Sequence, residues 1–515
     1  DTTNSQLVET VQNVKVKQLE VVGNLSRYAY LEDTNLVIID TTEGIVESYE
    51  DLELETKIKP SAIGDKIALF NGTKLDIRSL DPNLTPIREE TFDSEIKGVA
   101  WSIGDSYLTV SLTNGTTLVY RTDLWIVDRT YEGLVDNTDF PQVVQGGLYI
   151  VQGLPKNAVR LEGVTYNKGS GSKENPYIIE NYEGLLKISQ DHQASYKLDN
   201  DIDMINWHLF GPIEYGGDEE GNVIGFEGTL DGNNHTLRGL QKNGMFFCVQ
   251  NGGKIRNLIL EDVNTDLPAL FEMSFAGTVK VENCHVQGST KQGGLVAQAM
   301  NSGATFKDCT FTGTVVDGSG IVNGYHGRSD SPDSSRLVVE NCHVKADIID
   351  GCGIVGNVYF PNGIIRDSSF EGNIENGPAG VVGYSYEGLL IENCHVKADI
   401  VSSKNTGGIS ENIYADGVIK DCTFEGSITS TDPWGRNIGG IAYSLSGDVY
   451  NCHVKADIIN PEGRSAGVVD YSYNSGRPNA YTIEGCTFEG TIEGRGAGIA
   501  GSHTGIIRNC KVKAS

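Results

Sequence analysis

IENCHVKADI (391–400) and KDCTFEGSI (420–428) are two versions of one phrase, and their recurrence decides the fold. The first version returns as VENCHVQGS (281–289), VENCHVKADI (339–348), YNCHVKADI (450–458) and RNCKVKAS (508–515). The second returns as KDCTFTGTV (307–315), RDSSFEGNI (366–374) and EGCTFEGTI (484–492). The shared position holds Cys284, Cys309, Cys342, Ser368, Cys394, Cys422, Cys452, Cys486 and Cys510, at intervals of 24 to 34 residues. An earlier copy, IRNLILEDV, carries Leu258 there. The two versions alternate without a miss, so the genetic unit is a pair of repeats.

A second landmark follows each phrase: a glycine-hydrophobic strand such as GGLVA (293–297), GIVGN (353–357), GVVGY (380–384), GGIAY (439–443) or GIAGS (498–502). A unit of about 26 residues with three short strands and three turns is too small to be a domain. It buries its apolar side only against its neighbours, which is the logic of a solenoid. A leucine-rich repeat would need an L-x-x-L-x-L frame and an asparagine ladder, and neither is read in the sequence. The fold class is therefore all-β: a parallel β-helix of about ten rungs over 207–515. Residues 156–206 serve as linker and N-terminal cap, with a short helix expected over Tyr182–Ser189.

The segments GSGSKENPYIIENYEGLLKIS (169–189), YKLDNDIDM (196–204), FEGTLDGNNHTLRGL (226–240) and KIRNLILEDV (254–263), with the GGLVA and GIVG strands, resemble secreted bacterial GLUG-repeat proteins over about 165–515. The resemblance is specific for fold. For function it implies surface adhesins, accessory regions of surface proteases or phage-borne fibres.

Residues 1–155 read as a smaller antiparallel, propeller-like β domain. IKGVAWSIGDSYLTVSLTNGTTLVYRTDLWIVDRTYEG (96–133) has four alternating stretches separated by turns, like a WD-type blade without its terminal Trp-Asp pair. NLVIIDTTEGIVESY (35–49) and DKIALFNGTKLDIRSL (65–80) are looser copies, and DFPQVVQGGLYIVQG (139–153) is a fragment. Four blades are the usual minimum for a ring, so either 5–23 complete a fourth or the sheet stays open.

The formal charge of −29, from 69 acidic and 40 basic residues, repels nucleic acid and anionic lipid. No apolar run is long enough to span a bilayer, so no membrane insertion is expected. The start at Asp1 fits a cleaved leader or trimming.

The cysteines form an inward column of free thiols about 4.8 Å apart, because in-register parallel side chains suit disulfide geometry poorly. His285, His343, His395 and His453 follow their cysteines and point outward. On alternate rungs they stand about 9.6 Å apart, too far to share one zinc ion. Asp199, Asp201 and Asp203 alternate on one strand face but lack the glycine and distal acid of a calcium loop. Neither metal nor cofactor is expected.

Catalysis is weighed because parallel β-helices include enzymes that cleave acidic polysaccharides. Successive rungs show no concentration of acids or bases to the eye, and Asn264-Thr265-Asp266 and Asn323-Gly324-Tyr325-His326-Gly327 only faintly echo pectinase motifs. The outward feature that stands out is aromatic. Counting six residues beyond the glycine opening each strand gives Met300, His326, Tyr359, Tyr386, Tyr414, Ser446, Tyr473 and Thr504. Such a file could stack on sugar rings or merely seal a corner. Tyr359, Tyr386, Tyr414 and Tyr473, with Trp434 and Arg477 on inserted loops, are the candidate ligand-binding residues.

The leading expectation is a non-catalytic fibre or adhesion protein, extracellular or on a cell surface, that presents loops and binds glycans or a host receptor. The alternatives are a polysaccharide lyase or glycoside hydrolase, and a phage virion fibre or decoration protein. The phrase ending at Ser515 is followed by no polar cap. The end near Cys486–Ser515 is therefore expected to pack against another chain or a copy of itself.

Overall fold

The computed structural model describes residues 16–514 apart from 23–26, 41–43, 50–51, 82, 103–104, 123, 132–140, 145–146, 151–158, 164–167, 205–206, 208–211, 216–222, 301–302, 328–335, 360–362 and 473–480. The chain divides into two compact units, residues 1–167 with 181–187 and residues 168–180 with 188–515.

The first unit is built of antiparallel meanders. Three have four strands each: Val16–Val22 to Gly44–Tyr49, Lys57–Pro60 to Pro86–Thr91, and Ile96–Trp101 to Ile126–Tyr131. Pro141–Val144, Gly147–Ile150 and Val159–Gly163 make a three-stranded sheet. Val16–Val22 pairs with Arg27–Glu32, so these residues complete the first sheet instead of starting another. Alternating apolar residues fill the space between successive sheets. Leu31, Ile38, Ile67 and Leu69 share one core, and Phe70, Ile77, Val99 and Val110 share the next. Asp105, at a turn with φ 56°, accepts the backbone N–H of Ala62 and Ile63 at 2.7 and 3.1 Å. Burial pushes its carboxyl up to about 6.

In the second unit parallel pairing begins at Tyr177–Ile179 with Ser195–Leu198 and continues to Lys511–Ala514. The result is a parallel β-solenoid of about ten turns, as the repeat implies. The helix Tyr182–Leu186 is capped by Asn181, whose side chain accepts the N–H of Gly184, and runs into a 3₁₀ turn at Lys187–Gln190.

Register explains the alternation of the two phrases. Inward, Val344, Val396 and Val454 stack on Phe370, Phe424 and Phe488, so large and small side chains interleave. Outward, Lys397 faces Glu371 and Glu425, while Lys455 faces Glu425 and Glu489. Lys455 lies 3.2 Å from Glu425, and Lys513 lies 2.6 Å from Glu489. His343, His395 and His453 each hydrogen-bond through Nδ1 to Ser369, Thr423 or Thr487 of the next turn at 2.8–2.9 Å. Each phrase is thus complementary to the other and not to itself, and a one-turn slip would set lysine on lysine.

One expectation is overturned. An asparagine ladder does exist, in mixed form. Asn283, Asp308, Asn341, Asp367, Asn393, Asp421 and Asn451 all take a left-handed φ of 51–55°, which Asn and Asp tolerate better than other side chains. Asn341 donates to Asp308, Asn393 to Asp367 and Asn451 to Asp421, at 2.7, 2.7 and 3.1 Å. A search for asparagine alone misses it, because every second step is the carboxylate that accepts the amide.

The cysteine column is inward. All ten cysteines are free thiols, and only Cys510 is not fully buried. Each column thiol donates to the carbonyl two residues before it, as Cys394 Sγ does to Glu392 at 3.4 Å. Ser368 fills the same place, donating to Arg366 O at 2.8 Å. The last turn leaves Ile506, Ile507 and Val512 nearly half exposed.

Candidate functional site

The strands that follow the glycine landmarks stack in register, which brings side chains from turns 26 to 33 residues apart into one file. His326 pairs with Tyr359, and Asn357 with Tyr384. His326 and Tyr359 are stacked at 4.4 Å and 14°. Tyr359 lies 5.1 Å from Tyr386, and Tyr386 lies 6.1 Å from Tyr414. Tyr384 wedges beside the file, 4.4 Å from Tyr386 and 5.0 Å from Tyr414. Burial and these neighbouring phenols push Tyr384 above the usual tyrosine range, and burial lowers His326, which keeps its ring neutral at physiological pH.

Of the predicted residues, Tyr359, Tyr386 and Tyr414 therefore come together. Tyr386 is 43% exposed and the other two are half-buried, so the file is not sealed. Ser446 ends it, buried and bonded to Tyr481 at 2.9 Å. Trp434 does not join it; it stands on its turn, 91% exposed. Tyr473 and Arg477 lie outside the described residues. Of the faint enzyme echoes, Tyr325 is fully buried in the core, and Asp266 is held by Lys291 at 2.6 Å.

The structure also corrects the reading that the turns carry no concentration of ionisable groups. Ser410 pairs with Ala442 and Ala442 with Val469, so the next residues along, Glu411, Tyr443 and Asp470, form one column beside the tyrosine file. Burial pushes Glu411 up to about 7, against the opposing pull of Lys404 and Arg436. Asp470 is fully buried; its oxygens accept no hydrogen bond among the described residues, and Arg464 lies 3.5 Å away. Burial raises Asp470 too. Tyr443 is raised by its own burial and then by Asp470, with Tyr414, Arg464 and Glu411 also within electrostatic reach. The column stands three residues beyond Gly408, Gly440 and Gly467, so aligning the glycine strands exposes it, whereas counting six residues beyond each glycine passes over it.

Elsewhere, a cleft of about 850 Å³ near the first turns is lined by Lys254, Arg256, Asp231 and Glu227. Two of its cations are engaged, Arg256 with Asp231 at 2.9 Å and Lys254 with Glu282. Among the described residues no group of three or more His, Cys, Asp or Glu is placed to hold a metal ion. Asp201 instead accepts the Thr236 N–H and bonds His235, both at 3.0 Å. No helix among the described residues is long and apolar enough to cross a membrane.

Comparison with known families places residues 223–379 in similarity to the right handed beta helix region. No curated protein matches the chain. Among solved structures, the β-propeller domain of Cps50 (Swd1) from Myceliophteria thermophila is 15% identical, with a TM-score of 0.24. The match covers 29% of this chain and 51% of that one, about half its length. That likeness is too slight to bear on fold or function.

Proposed function

We propose that this chain is a glycan-binding fibre or adhesion protein of a cell or virion surface, with the tyrosine file as its sugar platform. The observation that carries the reading is the run of His326, Tyr359, Tyr386 and Tyr414 on four successive turns, with Tyr386 nearly half exposed. A sugar ring has one apolar face and a rim of hydroxyls, which matches a stack of half-exposed phenols. A stiff solenoid holds the rings at fixed spacing, so little ordering entropy is lost when an extended chain lies along them. The resemblance to GLUG-repeat proteins, found on surfaces and fibres, agrees with that role.

The test is attachment to a glycan array by the full chain and by Tyr386→Ala and Tyr414→Ala. The expected result is loss of binding with an unchanged melting temperature. A large stability loss with binding intact would mean that the file only seals a corner. A second reading, glycoside cleavage, is favoured by Glu411, which stands in one column with Tyr443 and Asp470 and whose carboxyl burial pushes up to about 7, where a general acid is effective. Release of reducing ends from a bound glycan, abolished in Glu411→Gln, would establish it; a glycan that binds and is not cut would reject it.

A further inference from the structure

Along the outward phrase columns, cations alternate with acids from turn to turn, as Glu371, Lys397, Glu425, Lys455 and Glu489 do. One corner breaks that rule. Lys404 and Arg436 each stand two residues before the paired Thr406 and Ile438. Arg464 precedes Ser465, which pairs with Ile438, and Arg464 itself pairs with Arg495. Four successive turns therefore carry a cation at this corner, Arg464 and Arg495 one residue later in register than Lys404 and Arg436, over about 14 Å at the spacing of β-strands. The first three side chains are 44%, 58% and 50% exposed, and Arg495 is exposed as well.

Like charges stacked this closely repel, so the row is a local cost. Nearby acids offset it only in part. Asp350 lies 3.7 Å from Lys404, Asp432 lies 3.1 Å from Arg436, and Asp470 lies 3.5 Å from Arg464. No ion pair to Arg495 forms among the described residues. Burial pushes the Glu411 carboxyl beside the row up to about 7, so it neutralises little of the row at mildly acidic pH, and burial raises Asp470 against the pull of Arg464. Asp470 is the fully buried carboxyl that accepts no hydrogen bond among the described residues. The row is continuous with the aromatic file through Tyr443, whose phenol is within electrostatic reach of Arg464, Glu411, Asp470 and Tyr414.

We propose that Lys404, Arg436, Arg464 and Arg495 form a strip that binds the regularly spaced anionic groups of an acidic polysaccharide whose sugar rings lie on the neighbouring tyrosines. The inference rests on the glycan-binding reading and adds the ligand's charge. Repeating carboxylates or sulfates match a row of cations one strand apart, and guanidinium groups can hold each one bidentately. A protein of net charge −29 repels polyanions at long range, so capture of one depends on short-range contacts at a local strip.

The experiment is affinity electrophoresis of the full chain in gels containing alginate, dextran sulfate or dextran, with sodium chloride varied. Alginate and dextran sulfate separate a carboxylate preference from a sulfate preference, and dextran supplies uncharged sugar. At least one anionic polymer should retard the chain more than dextran does, and less so as salt rises. Arg464→Gln/Arg495→Gln should weaken that binding by about tenfold or more, equivalent to one or more charge-assisted contacts. Arg495→Gln alone guards against a folding defect, because it disturbs no described ion pair. Equal retardation by dextran, no loss in the arginine variants, or equally tight capture of a DNA duplex would overturn the proposal. If the arginine variants lose binding while Tyr386→Ala does not, the strip stands and the tyrosine platform falls.

Discussion

Cys394→Asp tests the phase of the solenoid at a single residue. Cys394 is fully buried between Ser368 and Cys422, and its thiol donates to Glu392 O at 3.4 Å and, more weakly, toward Ile365 O at 3.7 Å. An ionised carboxylate there would face two carbonyl oxygens, with little beyond the Ser368 backbone N–H to offset them. Protonation rescues one contact at most, and the wider group also crowds a column built for a thiol. Burying such a group without a partner costs about 3–5 kcal/mol. Cys394→Ser should cost under about 1 kcal/mol, since Ser368 already fills this column position with its hydroxyl bonded to Arg366 O at 2.8 Å. His395→Asp changes an exposed side chain and loses one surface hydrogen bond, to Thr423 at 2.8 Å, also worth about 1 kcal/mol or less. Thermal unfolding with amide exchange across 365–455 is the assay. Wild type, Cys394→Ser and His395→Asp should melt close together, with Cys394→Asp far below them. Equal tolerance of aspartate at both positions would refute the inward assignment of the column and every register drawn from it.

Glu411 sets a pH dependence whose sign follows from its environment. Its folded value, about 7, lies above the ordinary 4.5, so its stabilisation is complete below 4.5 and is lost as pH rises through 7. Glu411→Gln should remove up to about 3 kcal/mol of that decline, seen as a flatter melting temperature between mildly acidic and mildly basic buffers; an unchanged slope would contradict the burial. Lys455→Glu places acid against Glu425 and Glu489 and should cost about 1 kcal/mol, read as a drop in melting temperature that shrinks in salt. Asn393→Ala loses both an easily adopted left-handed backbone and the bond to Asp367, so it should destabilise more than Asn393→Gly, which loses only the bond.

The sequence by itself determined the rung. Alternation of Asn-Cys-His-Val with Asp-Cys-Thr-Phe fixes which residues point inward, because successive residues of a strand face opposite sides. The buried thiols and outward histidines follow from that period alone, and the tyrosine file through Tyr359, Tyr386 and Tyr414 follows from counting beyond the glycine that opens each strand. Tertiary structure decided what meets across turns. The offset between neighbouring turns changes within one pair, from 28 residues at Ser402–Ser430 to 32 at Thr406–Ile438, because an inserted loop intervenes. Parallel strands are joined by hydrogen bonds between residues far apart in the chain, so such loops alter spacing along the sequence without altering contact in space. For that reason the row from Lys404 to Arg495 could not be assembled by counting, whereas Glu411, Tyr443 and Asp470 stand three residues beyond Gly408, Gly440 and Gly467 and are passed over by a count of six. The mixed Asn/Asp ladder stayed hidden for a related reason: donor and acceptor are different residue types, and only pairing shows that they are partners.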